Sequence, residues 1–235
     1  MAAVVRNRFY FSIALALSLL LSLGFMRTFY ARPLFDLPPL PTLMHVHGAV
    51  FTAWFLLFIA QTRLIATHNI KAHKTLGTIG AALAVVIIFV GTLTAFSLAL
   101  ATRPQGGPPP SQFLAVSLPD IVLFAGFVGA ALALRKRPAL HKRFMVLAMI
   151  SVLGPAVGRL VVLSGAIEYF LVIQSAVPAL FVAWCLINDW RRHHIVHPVF
   201  AYGGAFIVIS WPLRDALGRT QAWAAVYESI ARLMN

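Results

Sequence analysis

The sequence predicts an all-α protein built as a polytopic transmembrane helical bundle. Hydrophobic residues make up 60% of the 235 positions and charged residues only 11%, whereas soluble domains have roughly 45–50% and 25%. Apolar runs of about 18 or more residues recur along the chain, and at 1.5 Å per residue each can cross a hydrocarbon core of about 30 Å. One integral membrane domain over residues 1–235 is therefore expected, without a soluble domain.

About seven spans follow from these apolar runs and from the turn residues between them. Their predicted bounds are 9–27, 43–66, 75–101, 114–134, 140–163, 168–188 and 199–212. The first span follows a basic segment but has no clean A-x-A cleavage site, so we expect an uncleaved anchor. Over residues 213–234, apolar side chains at near-helical spacing with charges between them predict an amphipathic helix lying on the membrane surface.

The distribution of basic residues predicts that the N-terminus is cytoplasmic. In that orientation twelve of the 19 Lys and Arg residues lie on the cytoplasmic side, as the positive-inside rule requires. The twelve are Arg6, Arg8, Arg63, Lys71, Lys74, Arg135, Lys136, Arg137, Lys142, Arg143, Arg191 and Arg192. The net charge of +13 then indicates contacts with anionic lipid headgroups rather than with nucleic acid.

Four side chains of the second span recur every seven residues: His47, Trp54, Gln61 and His68. Each step of seven drifts only about 20° around a helix, so the four form one stripe. The stripe either faces the bundle interior and bonds to neighbouring helices, or lines a cofactor or proton path. His45 points elsewhere.

Two similar segments, "KAHKTLG" and "PALHKRFM", open the third and fifth spans. They place His73 and His141 at one membrane depth on two helices, an arrangement that a bis-imidazole haem b site needs. Histidines that only lie at the membrane interface are the alternative. Behind His73, a narrow face of small residues admits either a flat macrocycle or another helix; it consists of Gly77, Gly80, Ala84 and Gly91.

Two charges are expected at similar depth on the opposite side, Asp120 in the fourth span and Arg159 in the fifth. Mutual pairing is the first expectation, and binding of an anionic group by Arg159, such as a haem propionate or a lipid phosphate, is the alternative. In "RRHHIVHP", His193 and His197 have the i, i+4 spacing that chelates a metal if the segment is helical.

Several function classes lack their sequence signals. The single Cys185 excludes an internal disulfide, and no Cys-x-x-Cys-His is present for covalent haem attachment. No lysine lies in the middle of a span, so a retinal Schiff base has no amine. Walker loops, nucleophile elbows and His-Glu-x-x-His motifs are also missing, so no enzyme class is indicated.

The ordered set "HGAVFTAWFLLFIAQ", "AHKTLG", "LHKRFM" and "WPLRDAL" resembles a widespread group of bacterial predicted membrane proteins of unknown function. The resemblance implies a multi-helix bundle of the bacterial inner membrane with His47, Gln61, His73 and His141 at signature positions. The order of span-opening histidine and His-basic junctions is also similar to small membrane proteins connected with haem-copper oxidase assembly.

Three hypotheses follow. The first is a haem- or metal-associated membrane protein in electron transfer or respiratory-complex assembly, with His73 and His141 as inner ligands, His47 as an outer one, and Gln61, Asp120 and Arg159 around them. Its partners would be subunits of a membrane complex. The second is a non-catalytic accessory or scaffold protein with interfacial histidines. The third is a small-molecule or proton transporter.

Overall fold

The computed structural model describes the backbone of residues 2–101 and 109–234, together with their side chains except those at 2–8, 193 and 234. This part of the chain is helical and has no strand. The helices are α1 (Ala2–Phe25), α2 (Thr42–Ala66), α3 (Ile70–Leu100), α4 (Pro110–Ala133), α5 (Pro138–Ser151), α6 (Gly154–Ser164), α7 (Phe170–His193), α8 (Pro198–Gly218) and α9 (Gln221–Met234).

Six of the described helical segments are long and apolar enough to cross a membrane, against about seven predicted. They are Phe9–Tyr30, Thr42–Ala66, Ile70–Leu100, Pro110–Ala133, Pro138–Ser164 and Ile167–Arg192. Helix α8, which contains the predicted span 199–212, is not among them, because Pro212 and the adjacent charges of Arg214 and Asp215 lower its apolar character. A multi-pass helical membrane protein is thereby confirmed, and α8 packs against α4, α5 and α7 with one face exposed.

The predicted span 140–163 is two helices, α5 and α6, that meet at residues 152 and 153. Pro155 explains the break, since its ring has no N–H and conflicts with the carbonyl four residues earlier, at Ser151. The hydroxyl of Ser151 donates to the Ala148 carbonyl at 2.9 Å. The regular hydrogen bonding of α5 thus ends at Ser151, and α6 begins at Gly154.

The predicted surface tail divides at residue 218. Helix α8 continues to Gly218, so residues 213–218 belong to the bundle, and a separate helix α9 follows. Helix α9 is tied to the ends of α3 and α4: Trp223 Nε1 donates to the Ser111 carbonyl at 2.7 Å and the Tyr227 hydroxyl to the Ala99 carbonyl at 3.0 Å. Whether α9 lies on a membrane surface stays a prediction.

A polar contact joins the end of α8 to the start of α4. The carboxylate of Asp215 accepts hydrogen bonds from Gln112 Nε2 at 2.8 Å and from Arg219 Nε at 2.8 Å. The hydrogen bond from Arg219, with a smaller contribution from Gln112, holds the pKa of this carboxyl below its usual value despite partial burial.

A buried ion pair joins α5 to α7. Arg143 Nε and Nη2 donate to the two carboxylate oxygens of Asp189 at 3.1 and 2.8 Å, and Nη1 donates to the Ala139 carbonyl at 2.7 Å. Arg143 is 5% exposed and Asp189 1%. Arg143, one of the twelve basic residues counted on the cytoplasmic side, is thus buried, and its charge is paired inside the bundle.

Candidate metal centre

His73 and His141 meet near the starts of α3 and α5, at the end of the bundle that carries the connections 67–69, 134–137 and 194–197. Each is the fourth residue of its helix. Their ring centroids are 6.4 Å apart and the ring planes are at 85°. The matching positions in the two helices thus bring the two predicted ligands together.

The orientation of the His141 ring is fixed by the preceding helix. Its Nδ1 lies 2.8 Å from the carbonyl oxygen of Ala131, in α4. A carbonyl oxygen can only accept, so Nδ1 carries the proton and Nε2 keeps its lone pair. Histidines that ligate metals almost always donate their other N–H in this way to a carbonyl or carboxylate.

Two polar atoms on the His73 side of the pair are buried without a hydrogen-bond partner. They are Nδ1 of His73 and Oε1 of Gln61, in α2. The backbone carbonyl of Gln61 also faces the His73 ring. The amide of Gln61 lies beside Gly77, one turn beyond His73: a Cβ at Gly77 would be 3.4 Å from Gln61 Nε2, an ordinary contact distance. Gln61 is thus a candidate neutral oxygen donor on the His73 side of the pair.

The spacing of the two rings is compatible with a single metal ion. With metal–nitrogen bonds of about 2 Å, two imidazoles on one ion have ring centres roughly 4.5–6.5 Å apart, and the observed 6.4 Å lies within that range. No group of three or more His, Cys, Asp or Glu side chains forms a site in the described part of the chain. Two imidazoles and one amide oxygen would therefore leave coordination positions open.

The small-residue face of α3 is filled by neighbouring helices. A Cβ at Gly80 would lie 2.9 Å from Leu57 Cδ2 of α2, and one at Gly91 would lie 2.6 Å from Ile121 Cδ1 of α4. Of the two uses that the sequence leaves open, this face serves helix packing. A flat macrocycle would have to lie between the His73 and His141 rings themselves.

His47 lies away from this pair. It precedes Gln61 by fourteen residues on α2, which is about 21 Å along a helix at 1.5 Å per residue. Its ring stacks on Phe51 with centroids 4.4 Å apart, and its Nδ1 is buried without a partner. His47 therefore belongs to a separate location and cannot ligate the ion that His73 and His141 would hold.

The polar stripe of α2 runs from His47 to Gln61 and stops there. The helix ends at Ala66, and His68 lies in the following turn with a φ of 60°. Trp54 is 3% exposed, contacts Phe124 edge-on at 5.2 Å, and leaves its Nε1 without a partner. The described neighbouring helices thus do not bond the unpartnered stripe atoms His47 Nδ1, Trp54 Nε1 and Gln61 Oε1.

Asp120 pairs with Arg214 of α8, at 2.5 Å from Nη1, and not with Arg159 as expected. The reason is the length of α8. The predicted span ended at residue 212 and left Arg214 in a surface tail, whereas the helix continues and places that guanidinium inside the bundle. The negative charge of Asp120 is thus balanced by Arg214.

Arg159 faces α1. Its Nε donates to Thr28 Oγ1 at 3.2 Å, its Nη1 to the Pro155 carbonyl at 2.8 Å, and its guanidinium lies 4.3 Å from the centre of the Phe25 ring. It forms no ion pair with a described carboxylate. This position follows from the packing of α6 against α1.

A chelating pair at His193 and His197 requires one helix that includes both residues, and no such helix is present. Helix α7 ends at His193, His194 follows with a φ of 52°, and His197 caps α8. The His193 side chain lies outside the described part of the structure. Nδ1 of His197 accepts from Val199 N–H at 3.2 Å, and burial, with help from Arg143, lowers the pKa of this imidazole.

No protein-family model, curated protein or solved structure matches the chain. A function therefore has to be argued from the geometry of the side chains.

Proposed function

We propose that this protein is an integral membrane protein that binds a transition metal, as a single ion or as the iron of haem b, between His73 and His141. The role we propose for it is electron transfer or the assembly of a respiratory complex. The observation that carries the proposal is the pair of imidazoles from α3 and α5 at 6.4 Å. Because Nδ1 of one ring donates to a backbone carbonyl, its Nε2 is free to ligate.

The donors are compatible with this role. Imidazole suits iron and copper as well as zinc and nickel, and the amide of Gln61 adds oxygen without adding charge. Bound iron or copper would supply one-electron redox chemistry. The chain's own residues orient the His141 ring through the Ala131 carbonyl and bury Nδ1 of His73. The open positions are ones through which a metal could be passed to a partner subunit.

The packing around the pair favours a single ion over a macrocycle, since α2 and α4 occupy the glycine face of α3. The location we propose is the inner membrane of a bacterium, with the N-terminus and the His73–His141 end cytoplasmic. Basic residues in the connections at that end, such as Arg135, would contact anionic headgroups.

The test is the metal content and the oxidised and reduced absorption spectra of purified protein, produced with ample haem, iron and copper. We expect about one bound metal ion per chain, with a Soret band if the metal is haem iron and without one if it is a single ion. His73→Ala and His141→Ala should each weaken metal binding at least about tenfold, since loss of even a supporting group around a metal typically costs 10–100-fold.

The matched controls are His47→Ala and His45→Ala, which remove imidazoles from the same chain at a distance from the pair. They should keep the metal and the spectrum of the wild type. A folded protein that carries no iron or copper under these conditions would reject the metal function and would favour a scaffold role, in which all four substitutions change only stability.

A second candidate function is a proton or small-molecule path along α2. It is favoured by the three buried polar atoms of the stripe that lack partners, at His47, Trp54 and Gln61. Proteoliposomes with a trapped pH dye test it directly. Proton flux that is lost in Gln61→Leu but kept in Thr62→Val would support the path, and equal flux in both variants would exclude it.

A further inference from the structure

A groove lies between α4 and α8 on the side of the bundle that faces lipid. Its volume is about 240 Å³, and its walls are mostly apolar. Val122 is 67% exposed and Leu213 62%, so the groove opens towards the hydrocarbon. Pro119 of α4 lines it as well, at a position where a helix lacks one backbone hydrogen bond and bends.

The lining residue that carries a charge is Arg214, which is 4% exposed. One nitrogen, Nη1, contacts Asp120 Oδ1 at 2.5 Å and the Val116 carbonyl at 3.4 Å. The other two, Nε and Nη2, are buried and have no hydrogen-bond partner. A buried guanidinium with unused N–H groups is costly unless an acceptor comes to it.

The charge balance decides what kind of acceptor fits. Asp120 already neutralises Arg214, so a second anion would bring an uncompensated negative charge into an apolar environment. A neutral carbonyl oxygen would satisfy the spare N–H groups without that cost. The apolar walls suit a hydrocarbon ring or chain attached to such a carbonyl.

We propose that this groove binds a neutral membrane amphiphile whose carbonyl oxygen accepts a hydrogen bond from Nε or Nη2 of Arg214. Two sources supply this chemistry: the ring carbonyl of a quinone and the ester carbonyl of a glycerolipid. The site is independent of the His73–His141 pair, and its test does not depend on bound metal.

The experiment uses the full chain in detergent and two probes. Binding of a decyl-substituted benzoquinone is followed through quenching of tryptophan fluorescence, because Trp211 lies beside Arg214 with its ring 4.9 Å from the guanidinium carbon. Lipid binding is measured by competition between a diester phosphatidylcholine and its diether analogue, which has no ester carbonyl. A preference for the diester assigns the lipid source, and saturable quenching assigns the quinone.

Arg214→Lys keeps a cation for Asp120 but removes the spare guanidinium donors. Val122→Trp fills the groove without touching the ion pair, so it tests the site even if the first variant folds poorly. Each should weaken binding at least about tenfold, the effect of losing one hydrogen bond to a charged donor. The control is Val85→Trp, since Val85 is also 67% exposed but lies on α3.

Binding of either probe that falls in Arg214→Lys and Val122→Trp but not in Val85→Trp supports the proposal. Absence of saturable binding by both probes, or binding that falls equally in the Val85→Trp control, overturns it.

Discussion

Replacing Asp189 by alanine is expected to lower the free energy of unfolding by about 3–5 kcal/mol, because it leaves the buried guanidinium of Arg143 without its counter-charge. Arg143 has few alternatives, since its surroundings are the Ala139 carbonyl and the face of Phe200, 5.5 Å away. The loss can be measured by denaturant unfolding in detergent, followed by circular dichroism.

The matched control is Glu228→Ala, which breaks the exposed ion pair with Arg232 on α9, whose N–O distance is 3.6 Å. Exposed pairs contribute little, so this variant should unfold like the wild type. Equal effects of the two substitutions would contradict the role given to the α5–α7 pair. A double variant, Arg143→Met with Asp189→Leu, should recover most of the stability, because it removes both charges together.

Gly24→Ala is expected to destabilise the protein by about 1–3 kcal/mol through overpacking. An added Cβ would lie 2.6 Å from Cα, Cβ and O of Ala156, so α1 and α6 would have to separate. No flexible side chain can yield, since the obstruction is mainly backbone. The same unfolding measurement checks this expectation.

Gly126→Ala and Gly129→Ala provide the comparison, because a Cβ at either position on α4 meets nothing within 4 Å. Alanine is the better helix former by roughly 1 kcal/mol, so these variants should be as stable as the wild type or slightly more stable. A Gly24→Ala protein as stable as they are would show that α1 and α6 do not approach closely.

The apolar runs predict the helical membrane bundle because a hydrocarbon core permits few other backbones. Two boundaries could not be read from them. Residues 213–218 contain Arg214 and Asp215, which in a hydropathy profile look like surface, yet one is neutralised by Asp120 within the bundle. The break at residues 152 and 153 follows from Pro155, but the apolar runs do not predict that the next helix packs against α1.

The approach of His73 to His141 was predictable from their equivalent positions at the starts of two helices. The positive-inside rule, by contrast, assigns basic residues to a side and says nothing about which of them is buried. The burial of Arg143 does not follow from that rule. A usable signal was present, because Asp189 lies at the matching end of α7 and a carboxylate there requires a cation.

The separation of His47 from the inner pair also follows from elementary geometry, since a helix rises 1.5 Å per residue. The seven-residue spacing on α2 does not predict the hydrogen-bond partner of each polar atom on the stripe. That depends on which side chains of α1 and α3, the helices that pack most against α2, face it.

The measurement that tests the central claim most directly is electron paramagnetic resonance of copper(II)-loaded protein in which histidine carries nitrogen-15. We predict hyperfine coupling to the imidazoles of His73 and His141, with one coupling lost in each alanine variant and neither lost in His47→Ala. Copper bound without histidine coupling, or coupling that disappears only in His47→Ala, would contradict a metal centre formed by α3 and α5.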